Sequence, residues 1–183
     1  MAFTNPKENL ASLHLSDGMT VADLGSGTGA YSLAASKEVV DGKVYAIEIQ
    51  KELLERLRSE AESQGLSNIE LVWGDLEKEE GSTLKDNAVD ALIISNTLFQ
   101  VENKDTFIKE AKRVLRPAGR ALVVDWADSF AGLGPQAENV FGEEKAQKLF
   151  TVNGFEIEKV LFDAGDHHYG FVAKLIDKPQ DRE

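Results

Sequence analysis

Two hydrophobic periods take turns along this chain, one near 3.6 residues and one of 2, and together they predict its elements. Asn5-Pro6-Lys7-Glu8 has the form of a helix start, with Asn5 as cap, Pro6 first in the helix and Glu8 three beyond the cap. Leu10, Leu13 and His14 continue one face, and Asp17-Gly18 turns the chain into a first strand over residues 20–24. A helix from Ala30 to about Val40 follows, its face read from Tyr31, Leu33 and Ala34. Residues 43–49 alternate and are rich in β-formers, which predicts a second strand. Residues 51–64 carry Leu53, Leu54, Leu57 and Ala61 on one stripe, the pattern of an amphipathic helix, and Gly65 ends it. A third strand spans 68–73, an acidic loop 76–87 and a fully buried fourth strand 88–95. The helix 104–116 turns Phe107, Ile108, Ala111, Val114 and Leu115 inward. Pro117-Ala118-Gly119 stops it before a fifth strand at 120–126. After a looser stretch, 127–142, come a helix at 143–152 with Gly154 as its cap, then strands at 155–162 and 169–176. Their connector, 163–168, is short enough to require an antiparallel hairpin.

Strands that alternate with helices and then close in a hairpin imply a three-layer α/β/α sandwich of Rossmann-like type. Its seven-stranded sheet is mainly parallel and is closed by the antiparallel C-terminal pair. The whole chain reads as one domain, 1–183, with an N-terminal helical segment, 1–18, and a frayed tail, 178–183. In such sheets ligands lie beyond the carboxyl ends of the strands, near the point where strand order reverses. That rule puts 23–29, Glu48, Asp75, 95–100 and Asp125-Trp126 along one rim. The connector 163–168 joins this rim if the sixth strand runs parallel to the first five.

Composition narrows the picture. Apolar residues at 42% and charged residues at 28% describe a soluble globular protein. Twenty Lys and Arg against 32 Asp and Glu give a net charge of −12, which argues against a nucleic-acid surface. No cysteine is present, so a disulfide framework, a thiolate metal site and a cysteine nucleophile are excluded. No apolar run approaches a membrane span, and Met1–Pro6 lacks the basic start and apolar stretch of a secretory signal. The expected location is the cytoplasm.

The chemistry gathers at Val21-Ala22-Asp23-Leu24-Gly25-Ser26-Gly27-Thr28-Gly29-Ala30. A strand that turns through glycines into a helix clears side chains from the approach and exposes backbone N–H groups at the helix start. Glu48, nineteen positions after Gly29, is placed to accept from both hydroxyls of a ribose bound over that turn. Asp75, ending the third strand, is placed to accept from an exocyclic amine such as adenine's. The three together favour an adenosine ligand. A dinucleotide also fits the glycine spacing, but Asp23 would face its pyrophosphate unfavourably. An acid there suits S-adenosylmethionine, which carries an ammonium and a sulfonium.

These residues resemble a class I S-adenosylmethionine-dependent methyltransferase, most closely the small group that includes the ubiquinone/menaquinone-pathway C-methyltransferases. The resemblance is carried by VADLGSGTG (21–29), YAIEIQ (45–50), WGDLE (73–77), DALIISNTLFQV (90–101) and RVLRPAGRALVVDW (113–126). It implies that Asp23, Gly25, Ser26, Gly27 and Gly29 hold the methionine end of the cofactor, and Glu48 its ribose. It also implies that Asp75 and Leu76 hold the adenine, that Ile49 packs on the adenine ring, and that Asn96 lines the transfer site. Members of the group often carry a histidine pair after the fourth strand, where this chain has Phe99-Gln100.

Methyl transfer is an in-line displacement in which the protein mainly aligns the reactants and excludes water. A base is needed only where the acceptor must lose a proton first, and His167 and His168 are the candidates, since the hairpin tip should overhang the site. With Asp163 and Asp166 the pair offers a metal site as an alternative, and none is assigned. Phe99, Gln100, Asp125 and Trp126 are expected to wall the acceptor pocket, and Trp73 to pack near the adenine edge. The expected activity is methylation of a small-molecule acceptor between the rim, residues 3–13 and the loop 129–136. A non-catalytic S-adenosylmethionine-binding module or accessory subunit is the alternative, and a nucleotide-dependent oxidoreductase a more distant one. Nothing in the pattern sets an oligomeric state.

Overall fold

The computed structural model describes residues 4–130 and 132–176. Phe3 and the tail 178–183, both part of the sequence reading, lie outside them. Seven strands form one sheet: β1 (Thr20–Leu24), β2 (Lys43–Glu48), β3 (Ile69–Trp73), β4 (Val89–Ser95), β5 (Leu115–Trp126), β6 (Phe155–Val160) and β7 (His168–Leu175). The order across it is β3-β2-β1-β4-β5-β7-β6. β1 to β5 are mutually parallel, while β7 runs antiparallel to both β5 and β6. β6 therefore points the same way as the first five, and the 163–168 connector does join their carboxyl-end rim.

Among the described residues five α-helices complete the fold: α1 (Pro6–Leu10), α2 (Ala30–Glu38), α3 (Lys51–Ser63), α4 (Lys104–Val114) and α5 (Glu143–Val152). Alternation along the strands divides the core in two. Val21, Val44, Ile93, Leu122 and Val172 face α1 and α2. Leu24, Ile47, Leu92, Ile94 and Phe171 face α4 and α5, where Phe107 and Phe150 are wholly buried. Right-handed crossovers put α3 on the same face as α2. Asn5 caps α1 as expected, its side chain accepting from the Glu8 N–H at 3.4 Å. Leu10 and Leu13 are buried, and His14 is an exposed residue in the left-handed region, φ 51°, that closes the short 3-10 turn after α1.

Some boundaries differ from the sequence reading. The buried face of α2 is Tyr31, Ser32, Ala35 and Ser36, because packing against the sheet and α1 selects small residues over Leu33. α4 ends at Val114, and the strand after it begins at once with Leu115 rather than at Arg120. Leu115 pairs with Val89 and Arg120 with Ala91, so residues 116–119 leave the ladder as an irregularity, with Ala118 at φ 61°. Pro117 thus breaks the helix without delaying the strand. β6 stops at Val160, leaving Phe162 fully exposed, and β7 begins one residue early at His168.

Strand order reverses between β1 and β4, and two glycines of the turn after β1 allow close packing there. Gly25 has φ 80°, and a Cβ there would stand 2.7 Å from the Thr97 hydroxyl oxygen, which donates to the Leu24 carbonyl at 3.1 Å. Gly29 has φ 86°, and a Cβ would meet Leu57 Cδ1 at 2.2 Å. Only glycine lets α2 begin this close to α3.

Candidate functional site

A cleft of about 470 Å³ opens over the carboxyl ends of β1 and β4, and its walls come from six separate stretches of chain. Asp23, Gly25, Ser26, Gly27, Glu48, Ile49, Asp75, Leu76, Asn96 and Gln100 all line it. Gly29 does not: its role is the close seat of α2 against Leu57. α2 has no side-chain cap, and the Ser26 hydroxyl, buried in the turn, has no hydrogen-bond partner. Both features leave polar capacity turned toward the cleft.

Glu48 is 7% exposed, and its two oxygens bracket the turn. Oε2 accepts from the Gly27 N–H at 3.0 Å and Oε1 from the Gln50 N–H at 2.9 Å. Each oxygen keeps a further lone pair for a hydroxyl. Asp23 is buried beneath the turn and accepts from the Ser32 hydroxyl at 2.6 Å. Burial pushes its carboxyl up to about 7, with the Glu48 charge adding to the rise and the Ser32 hydrogen bonds opposing it. Asp75 is arranged differently. Its hydrogen bond from Lys78, at 3.0 Å, and a second from the Glu77 N–H hold it below the usual carboxylate range. Trp73 stays outside the cleft. Its indole donates to the Ile49 carbonyl at 2.9 Å and stacks beneath Lys51, so it buttresses the Ile49 loop.

The cleft also has uncharged polar groups in its wall. Thr4, Tyr31, Ser95, Asn96 and Gln100 line it. Tyr31 and its supports escaped the sequence reading, which placed Tyr31 on a packing face. Its hydroxyl accepts from Asn9 Nδ2 at 2.8 Å and also meets the Ser95 and Thr4 side chains. The second N–H of Asn9 donates to the Ala164 carbonyl at 3.0 Å. Asn9 thereby ties α1, α2 and the β6–β7 connector at one buried point. Burial raises the Tyr31 phenol above its ordinary value, so it stays protonated. The available signal was position: a tyrosine two residues past the last glycine of the turn stands in the first turn of α2, at the cleft mouth.

Three of the residues expected to wall the acceptor pocket do not line this cleft. Asp125 is wholly buried, accepting from the Leu98 N–H and the Trp126 N–H at 2.8 Å each, with the Phe99 and Thr97 amides also turned to it. It organises the turn after β4 from behind. Trp126 lies under Gly134, where a Cβ would stand 2.6 Å from the indole, and against His168 at 4.3 Å between ring centroids. Phe99 is half-buried on the far side of the same turn. The histidine pair is also divided. His167, φ 62°, stacks on Phe130 and pairs Nδ1 with Asp128 at 2.8 Å, away from the cleft. His168 reaches it only indirectly: Nδ1 lies 2.7 Å from the Asp166 carbonyl, and Nε2 lies 3.0 Å from Asn96 Oδ1.

Among the described residues no helix is long and apolar enough to cross a membrane, and no cluster of three metal-ligating side chains occurs. Residues 15–167 match the family described as Methyltransferase domain. The Ubiquinone/menaquinone biosynthesis C-methyltransferase UbiE of Escherichia coli is 34% identical over 112 residues, which are 60% of this chain and 43% of that protein. The match thus spans less than half the length of this curated relative. A crystal structure of a SAM dependent methyltransferase from Aquifex aeolicus superposes with a TM-score of 0.85 at 30% identity, covering 95% of this chain and 91% of that one. The cyclase SpnF superposes at 0.80 with 18% identity, covering 94% and 80%, a likeness of fold alone. With a matched family and these neighbours, the chain belongs to the methyltransferase domain family as a class I, S-adenosylmethionine-dependent member related to UbiE.

Proposed function

We propose that this protein methylates a small molecule bound in the cleft beside its uncharged polar side chains. S-adenosylmethionine, when bound, supplies an electrophilic methyl group on a sulfonium sulfur. The observation that carries the reading is the make-up of one cleft, lined both by carboxylates and by uncharged polar side chains. Asp23, Glu48, Asp75 and Glu77 line it, and no lysine, arginine or histidine does among the described residues. That balance suits a donor carrying an ammonium and a sulfonium.

In this reading Glu48 holds the ribose hydroxyls, Ile49, Asp75 and Leu76 the adenine, and the 25–29 turn with the uncapped start of α2 the methionine carboxylate. Asp23 lies beneath the ammonium end. Thr4, Tyr31, Ser95, Asn96 and Gln100 orient the acceptor. The protein's contribution to rate is then alignment and exclusion of water, with no base required to touch the methyl group.

Calorimetry with S-adenosylmethionine and S-adenosylhomocysteine should show binding of both, with nicotinamide dinucleotides inert. A cation seated by Asp23 lowers that carboxyl from about 7, so binding at pH 7 should release a fraction of a proton. Titrations in two buffers of different ionisation enthalpy read that release, and proton uptake would remove Asp23 from its role. Incubation with methyl-labelled donor and a cell extract should place label in the small-molecule fraction. Label confined to protein would overturn the small-acceptor assignment.

A further inference from the structure

We propose that His168 sets which end of the Asn96 side-chain amide faces the acceptor: carbonyl oxygen toward the cleft when the imidazole is neutral, NH2 when it is charged. The role in transfer rests on the reading above, whereas the orientation itself does not.

Asn96 is a rigid platform with one free torsion. Its backbone holds φ 53°, its N–H donates to the Val124 carbonyl at 2.8 Å, and its own carbonyl accepts from Gln100 Nε2 at 2.7 Å. What remains adjustable is the amide, which meets His168 on one side and the cleft on the other. The imidazole is equally constrained, packed on Trp126 with Nδ1 2.7 Å from the Asp166 carbonyl. A carbonyl oxygen offers only lone pairs, so Nδ1 carries a proton in every state. In the neutral ring Nε2 is then an acceptor, and Asn96 must present its NH2 to it, which turns Oδ1 into the cleft. In the cation Nε2–H donates to Oδ1, and the NH2 turns into the cleft instead.

Which state prevails follows from the surroundings. The charged and titratable groups nearby are Asp163, Asp166 and His167 on the connector itself, and Asp125 and Asp128 at and after the end of β5. The Asp125 carboxylate is enclosed by backbone amides, and Asp128 is engaged by His167. Burial, with a smaller contribution from His167, moves His168 below its ordinary value despite Asp166 and Asp128. The structure sets Oδ1 against Nε2, the arrangement of the charged ring, and loss of that charge turns the amide so that its carbonyl oxygen faces the acceptor.

An oxygen there selects an acceptor whose reacting atom carries a hydrogen, a hydroxyl or an amine. That atom donates to Asn96 Oδ1 and is left with a lone pair aimed away from it. The lone pair forms the bond to the methyl carbon, the carbon–sulfur bond breaks with its electrons on sulfur, and the acceptor's proton passes to solvent. His168 is a positioning residue here and takes no proton from the acceptor.

The test uses isotope-labelled protein with S-adenosylhomocysteine bound, titrated between about pH 5 and 8 and read by NMR. The Asn96 side-chain NH2 resonances should shift with the same midpoint as the His168 ring. In His168→Gln that transition should vanish. Where activity is measured, kcat should fall about tenfold below that midpoint with KM for the donor unchanged, and this limb should also vanish in His168→Gln. Asn96→Asp gives a second reading in a protein that keeps the imidazole: a carboxylate beside Nε2 should raise the His168 pKa by about one unit or more. An Asn96 amide indifferent to His168 titration, a transition that survives His168→Gln, or an unmoved pKa in Asn96→Asp would each overturn the proposal. None of these readings needs turnover, so they separate it from the methyltransferase assignment, which binding of S-adenosylhomocysteine tests alone.

Discussion

Glu48→Ala should weaken binding of S-adenosylmethionine by about a hundredfold or more. The carboxylate is nearly enclosed and already bonded to two backbone amides, so its side chain does not have to be ordered when a ligand arrives. Two hydroxyls donating to an ionised, pre-placed acceptor contribute about 1.5–3 kcal/mol each. Loss of both is on the order of 3 kcal/mol, which is about two powers of ten in affinity. Alanine also frees the Gly27 and Gln50 N–H groups, and the turn loses the strut that holds it open. Glu48→Gln keeps one acceptor oxygen and should lose about tenfold. Calorimetry on both variants, with circular dichroism to verify folding, measures this. An alanine variant that binds within about twofold of the parent would end the ribose assignment.

Asp125→Ala should cost the fold about 3–5 kcal/mol, a large share of the roughly 5–15 kcal/mol typical of a domain. The carboxylate serves four amides, those of Thr97, Leu98, Phe99 and Trp126, in a site closed to solvent. Removing it leaves buried donors without an acceptor, and each such donor costs about 1–3 kcal/mol unless water enters. Asp125→Asn retains one acceptor and should cost less. The same burial produces a pH signature. The folded-state pKa is raised from 3.8 to about 6, so the group's contribution is fully present below pH 3.8 and is lost as pH rises through 6. That amounts to about 3 kcal/mol across the window. Urea unfolding of the parent should thus show this component falling between about pH 4 and 6, and Asp125→Asn should lack it. An alanine variant within about 1 kcal/mol of the parent would show that the turn after β4 does not depend on this carboxylate.

These two acids look alike in the sequence, each ending or nearly ending an apolar strand at the same rim, and their fates diverge. Glu48 lies against a turn made of glycines, so nothing covers its outward lone pairs. The β4 turn that faces Asp125 curls back with its amides pointing inward and takes up the whole carboxylate. The histidines show a similar split. Adjacent in sequence, His167 and His168 part because His167 is still in the left-handed turn while His168 is the first residue of β7, paired with Trp126. Tyr31 passed as a core residue because its hydroxyl's partners lie far away in sequence. Asn9 is 22 positions before it, and the Ala164 carbonyl that fixes Asn9 is 155 positions on.

By itself the sequence determined the features that local physics controls. Periodicity set the helices and strands to within a few residues, since burial of one face is a property of spacing. The glycine turn with Glu48 and Asp75 announced the ligand class, because backbone exposure and strand-end acids follow from residue type and position. The tertiary structure alone decided the strand order, the excursion of 116–119 from the β4–β5 ladder, and which rim residues turn outward. It also brought Thr4, Tyr31, Ser95 and Asn96 together on one cleft and set His168 beside Asn96. Those outcomes depend on partners many residues apart, whose meeting is settled by how the layers pack and not by the spacing within any one segment.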